Sequence, residues 1–113
     1  KRRVVAAIAA GIPASSIAID PGFGFGKTVT HNLQLVNWLS LYFGLGVVVL
    51  FGASRKSSIA EISAGEPAEA RLAGSLALAA AAWRQGVQII RVHDVAETAQ
   101  ALSVEAALLA AGS

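Results

Sequence analysis

Three short stretches hold most of the groups able to do chemistry: DPGFGFGK at 20–27, SRKS at 54–57 and RVHDV at 91–95. Together they offer the carboxylate of Asp20 and the cations Lys27, Arg55, Lys56 and Arg91, with His93 beside them. So many cations around few acids would suit an anionic ligand, most simply a phosphate or diphosphate. Cysteine is absent, which excludes disulfides, thiolate nucleophiles and metal–thiolate sites. His31 and His93 stand too far apart in sequence to form a zinc-spaced pair. The glycine-rich stretch misses both common phosphate motifs by one position. In GxxxxGK[ST], Gly26, Lys27 and Thr28 fit but the first glycine falls on Pro21; in GxGxxG the third glycine falls on Lys27. A P-loop-like nucleotide binder is therefore a minor alternative.

Each feature taken alone has a plainer explanation. Asp20-Pro21 can simply start a turn, and Arg55 and Lys56 can be solvated surface. His93 can be a hydrogen-bonded residue at a strand end. Arg91 is harder to dismiss, because a cation within an apolar strand is costly to bury unpaired. His31 is assigned to a helix N-terminus without a functional role, and Trp38 and Trp83 to the core. The functional case rests on recurrence: the same kind of residue follows each of three expected strands.

Those strands are 16–20, 47–52 and 87–92, and helices separate them. Residues 1–10 read as a helix ended by Gly11 and Pro13. A signal peptide fits the same stretch less well. Residues 31–43 read as a helix with Leu35, Leu39 and Tyr42 on one face and Thr30 as N-cap. SRKSSIAEISAGE reads as a loop with one helical turn. Pro67 opens a long helix at its first position and Gly86 closes it, with Leu72, Leu76, Ala79 and Trp83 forming its apolar stripe. A last helix spans 95–110, with Val95, Leu102, Ala106 and Leu109 on one side. Alternating helices and strands predict an α/β fold with a parallel sheet. Chemistry in such sheets sits beyond the C-terminal ends of the strands, where all three polar stretches fall.

The chain has 113 residues, a formal net charge of +2, 55% hydrophobic residues and 14% charged ones. This composition excludes a disordered tail and a strongly basic nucleic-acid binder. One domain is the most that this length allows. So apolar a chain, without a starting methionine, is expected to be a piece of a longer protein, or to be covered by another copy. No formal charge occurs from Thr28 to Ser54, and a membrane helix must be weighed there. Gly44, Gly46 and the following valines favour a helix, a turn and then a strand buried on both faces.

Taken together, DPGFGFGK, SRKS and RVHDV, with HN at 31–32 and RLAGSLA at 71–77, resemble the C-terminal part of dihydropteroate synthase across essentially the whole chain. The resemblance implies a partial pterin-binding domain over 1–113. It would be the sector of a (β/α)₈ TIM barrel comprising strands six to eight with flanking helices. It implies a transferase of folate synthesis that joins p-aminobenzoate to 6-hydroxymethyl-7,8-dihydropterin diphosphate. Asp20 would bind the pterin, Lys56 the pterin near p-aminobenzoate, and Arg91 the pterin face and diphosphate. His93 would hold the diphosphate and Ser57 the p-aminobenzoate carboxylate. Gly24, Phe25 and Gly52 would border the p-aminobenzoate slot, where sulfonamides also bind, and Arg55 is a further candidate contact. Magnesium is implied as cofactor, with its ligand outside this chain and no metal residue within it. A cytoplasmic setting and a homodimer of the full-length protein are implied, with neither nucleic acid nor membrane as partner. The first two βα loops and the pterin-binding residues of the third and fourth strands are not in this sequence, so the isolated chain is expected to be inactive. A methyltetrahydrofolate methyltransferase barrel is the nearest enzyme alternative, but it handles no diphosphate leaving group. A non-catalytic pterin- or phosphate-binding module is the other.

Overall fold

The computed structural model describes residues 2–24 and 28–112. Helix α1 (Arg2–Ala9) leads through a 3₁₀ turn at Ala14–Ser16 into strand β1 (Ala18–Ile19). The glycine-rich loop follows, then helix α2 (Val29–Asn37), a 3₁₀ segment at Leu39–Leu45 and strand β2 (Val48–Phe51). Helix α3 (Ser57–Ile62), a 3₁₀ turn at Ala68–Ala70, helix α4 (Leu72–Arg84), strand β3 (Ile89–Ile90) and helix α5 (Val95–Ala111) complete the order. The strands are parallel in the order β1-β2-β3, with Ala18 opposite Val48 and Leu50 opposite Ile89. Among the described residues, no helix is long and apolar enough to cross a membrane. The charge-free stretch instead divides into helix, turn and strand, with Gly46 (φ 71°) supplying the left-handed residue that ends the 3₁₀ segment.

The core lies between the sheet and one layer of helices. Val49 and Phe51 of β2 point into it and meet Val36, Leu39, Ala82 and Val87. Alternate residues of a strand face opposite ways, and Val48 and Leu50 on the other face are only half-buried. The expectation of a strand buried on both faces is therefore corrected: helices cover one face alone. The Cα radius of gyration is 15.2 Å, above the roughly 13 Å of a compact domain of about 100 residues. The molecule is a slab with extents of 46 × 38 × 22 Å.

Several local expectations are corrected. The strands at 16–20 and 87–92 shorten to two residues each. Helix α2 starts at Val29, and its N-cap is Thr28, whose hydroxyl accepts from the His31 N–H at 3.1 Å; Thr30 lies inside the helix. Trp38 sits at the C-cap of α2, where the chain changes course, and is 55% exposed rather than core. Trp83 is half-buried. The expected loop after β2 contains α3, which buries Ser58, Ile59 and Ala60. Pro67 does not open the long helix. It caps the short 3₁₀ turn, and α4 starts five residues later at Leu72.

The buried face of α4 is Ser75, Ala79 and Ala82; of the expected stripe Ala79 is buried, while Leu76 and Trp83 are half-buried and Leu72 is exposed. Close approach explains the small side chains: a Cβ added to Gly74 would stand 2.3 Å from Ile59 Cγ2 of α3. Helix α5 buries only Thr98. Val95 and Leu109 of its expected apolar side are each 66% exposed, because α4 alone lies firmly against it.

Candidate functional site

The C-terminal ends of β2 and β3 open onto a cavity of about 660 Å³. Its walls include Gly52, Ser54, Arg55, Lys56, Arg91 and His93. Parallel pairing makes this convergence unavoidable. Phe51 lies beside Ile90, and the Arg91 N–H donates to the Phe51 carbonyl at 2.9 Å, so the residues that follow leave the sheet side by side. Arg91 is not buried within a strand, contrary to the sequence reading. It lies just past β3 and is exposed, which removes the desolvation cost. Its side chain crosses Gly52: a Cβ there would stand 3.5 Å from Arg91 Nε. Gly24 is related to Lys56 in the same way, with an added Cβ 3.5 Å from Lys56 Cδ. The glycine-rich loop thus touches the cation loop through the Lys56 stem.

Asp20 and Ser57 are exposed and lie outside the cavity lining. The Asp20 carboxylate accepts the Gly22 N–H at 2.9 Å, holding its own turn. Phe25 and Lys27 lie outside the described residues. Phe23 anchors the loop from below: it is 1% exposed and meets Phe51 edge to face with centroids 5.6 Å apart.

Several supporting residues escape a reading of motifs alone. Asn32 is 1% exposed, accepts from the Gly24 N–H at 3.0 Å and donates to Ser58 Oγ at 2.8 Å. One buried carboxamide therefore ties the glycine-rich loop to the helix that follows Lys56. Ser54 Oγ accepts the His93 N–H at 3.2 Å and lies 2.9 Å from His93 Nδ1. The Ser54 hydroxyl thus meets both the backbone and the ring of His93 and seats the imidazole at the cavity wall. Ser75 and Arg71 hold Arg55. The Arg55 N–H donates to Ser75 Oγ at 2.8 Å, and Arg71 Nη1 donates to the Arg55 carbonyl at 2.9 Å. Asn32 falls within HN at 31–32, and Arg71 and Ser75 within RLAGSLA at 71–77, stretches that carry the resemblance without an assigned role.

Arg55 is also ion-paired. Its Nη2 and Nε donate to the two Asp94 oxygens at 2.8 and 3.3 Å. Hydrogen bonding from Arg55 is the main reason the Asp94 carboxyl is held below its usual range. Desolvation opposes this, and the charges of Arg55 and His93 reinforce it. The same hydrogen bond raises the Arg55 guanidinium. Glu66 is lowered chiefly by the Ser63 hydroxyl. Among the described residues, no three His, Asp or Glu side chains gather closely enough to hold a metal ion together.

Comparison with known proteins decides the family. The model of the pterin binding enzyme family matches residues 1–93. The chain belongs to that family. It is 47% identical over 102 residues to the dihydropteroate synthase of Escherichia coli, covering 90% of this chain and 36% of that protein. With the Neisseria meningitidis serogroup C synthase it shares 48% over 109 residues, covering 96% and 38%. The Xanthomonas albilineans dihydropteroate synthase in complex with 7,8-dihydropteroate superposes with a TM-score of 0.93 at 48% identity, covering 96% of this chain and 43% of that one. The Yersinia pestis DHPS with a pterine-sulfa conjugate superposes with a TM-score of 0.91 at 41% identity, covering 96% of this chain and 42% of that one. The chain thus spans well under half the length of these relatives. Its α/β architecture with parallel strands is that of the matching part of these pterin-binding enzymes.

Proposed function

We propose that this chain is the C-terminal sector of a dihydropteroate synthase barrel, contributing strands six to eight. The observation that carries this reading is the shared cavity of Lys56, Arg91 and His93 at the ends of adjacent parallel strands, in a chain 47% identical to a known synthase. The half-buried face of β2 is consistent with it, since the remaining strands of a barrel would cover that face.

The reaction is a substitution at the pterin methylene carbon. The bond from carbon to diphosphate oxygen breaks, and the arylamine nitrogen of p-aminobenzoate bonds to the same carbon and releases a proton. Diphosphate leaves with its electron pair, and Arg91 and His93 would stabilise that charge. Asp20 would accept hydrogen bonds from pterin N–H groups, and Lys56 would contact the pterin carbonyl and ring nitrogen. Ser57 would hold the p-aminobenzoate carboxylate. Gly24, Phe25 and Gly52 would border its slot, where sulfonamides would compete. No protein nucleophile is needed, because the work is electrostatic and positional. Magnesium would be held outside this chain, and it carries no step here. The setting is cytoplasmic, and the full-length protein would be a homodimer.

The test is a chimera in which residues 1–113 replace the counterpart segment of the Escherichia coli relative. A folded chimera that forms dihydropteroate from both substrates supports the reading. A cooperatively melting chimera with no turnover overturns it. The isolated chain is expected to show no turnover. Its melting would be raised by a pterin diphosphate analogue with magnesium and not by ATP.

A further inference from the structure

Arg55 has a backbone that side-chain-bearing residues rarely adopt. At φ 57° it is the non-glycine residue in the left-handed region among the described residues. Such a conformation persists only where its surroundings over-determine it, and here they do. Ser75 accepts its N–H, Arg71 donates to its carbonyl, and Asp94 takes its guanidinium through two oxygens. Ser75 Oγ in turn donates to the Arg71 carbonyl at 2.7 Å, which joins the two holders. The strained residue immediately precedes Lys56 and Ser57, and its ionic partner immediately follows His93. The two loops that bear the cations are therefore linked through one ion pair.

We infer that Arg55 and Asp94 form a latch that positions Lys56 and Ser57 relative to Arg91 and His93. Both act as positioning residues: the guanidinium spends Nε and Nη2 on the two Asp94 oxygens, tying its loop to the one that bears His93. In this inference, which rests on the synthase reading above, Arg55 acts through Lys56 and Ser57 in place of direct substrate contact. A small displacement of either loop would separate the groups holding the acceptor from those holding the leaving group. Rates of such substitutions fall steeply with misalignment.

The experiment is a double-mutant cycle in the active chimera, using Arg55→Ala, Asp94→Ala and both together, with Asp94→Asn as the isosteric variant. Each single change is expected to lower kcat/KM about tenfold, and the double change no further, because the two residues act as one unit. Arg55→Lys should recover only part of the loss, since an ammonium cannot engage both oxygens in the same fork. The melting temperature should stay close to the parent's, because a part-exposed ion pair adds little stability. That leaves a loss of rate which a merely structural role would not produce. Independent effects that multiply to about a hundredfold would overturn the latch. So would a large loss in Arg55→Ala beside a silent Asp94→Ala, the signature of a direct substrate contact. An unmutated chimera that folds without turnover sinks the synthase reading, and the latch with it.

Discussion

Two polar networks support the rim, and they are built on opposite principles. Around the glycine-rich loop the links are neutral and dry: Asn32 is 1% exposed, and it bridges Gly24 to Ser58. Around the β2 and β3 loops they are charged and wetter, with side-chain exposures of 34% for Arg55 and 19% for Asp94. A buried carboxamide removed from its partners leaves donors and acceptors stranded without water. A half-wet ion pair does not, because solvent replaces much of what is lost. The dry network should therefore govern whether the site folds, and the wet one how its cations are aimed.

The largest effects lie outside this contrast, in the groups proposed to meet the substrates. In the chimera, Lys56→Ala or Asp20→Ala should reduce kcat/KM by about 10² to 10³, as for losing a preorganised electrostatic contact. Near-normal values in steady-state kinetics would remove the residue from its assigned role. Next comes the dry side. Asn32→Leu should cost about 2 kcal/mol of stability by chemical denaturation, since it strands the Gly24 N–H and the Ser58 hydroxyl. A cost as small as that of Asp94→Asn would erase the distinction between the networks.

Gly74→Ala belongs to the same side, because it forces α4 away from α3, which carries Ser58. With Ile59 Cγ2 only 2.3 Å from the new methyl, overpacking of about 1–3 kcal/mol is expected in the same measurement. Thr28→Ala should cost about 1 kcal/mol through loss of the α2 cap.

The smallest effect is the pH dependence of the wet network. The folded Asp94 carboxyl titrates below its unfolded value. Its stabilisation is therefore fully present above about pH 4 and is lost as pH falls through the lowered folded value. Asp94→Asn should flatten the acid limb of stability against pH, with a small loss of stability between about pH 6 and 8 and the two proteins converging in acid. The Arg55 shift contributes no slope there, because a guanidinium stays protonated throughout.

Much of this was readable from residue order. The alternation of apolar runs and Gly or Pro breaks placed all three strands and the helices between them, because the periods of 3.6 and 2 follow from backbone geometry. Three polar stretches after three strands named the rim, since parallel strands all end on one side. Helix α3 has only six residues, too short a period to distinguish from loop in the sequence. The stripe of α4 was partly misplaced because Gly74 lets its backbone approach Ile59 closely, and only small residues fit such a face. Trp38, expected in the core, sits at a helix end that turns it outward.

By itself, then, the sequence determined the order of the elements, the parallel sheet and the edge at which Lys56, Arg91 and His93 would meet. These are local or topological properties, carried by patterning along the chain. Tertiary structure alone decided how those residues are held. The Asn32 bridge, the seat of His93 on Ser54 and the ion pair of Arg55 with Asp94 join positions 8, 26 or 39 residues apart. Hydrogen bonds over such separations form only when packing has fixed distances to a few tenths of an ångström, and no spacing along one chain encodes that.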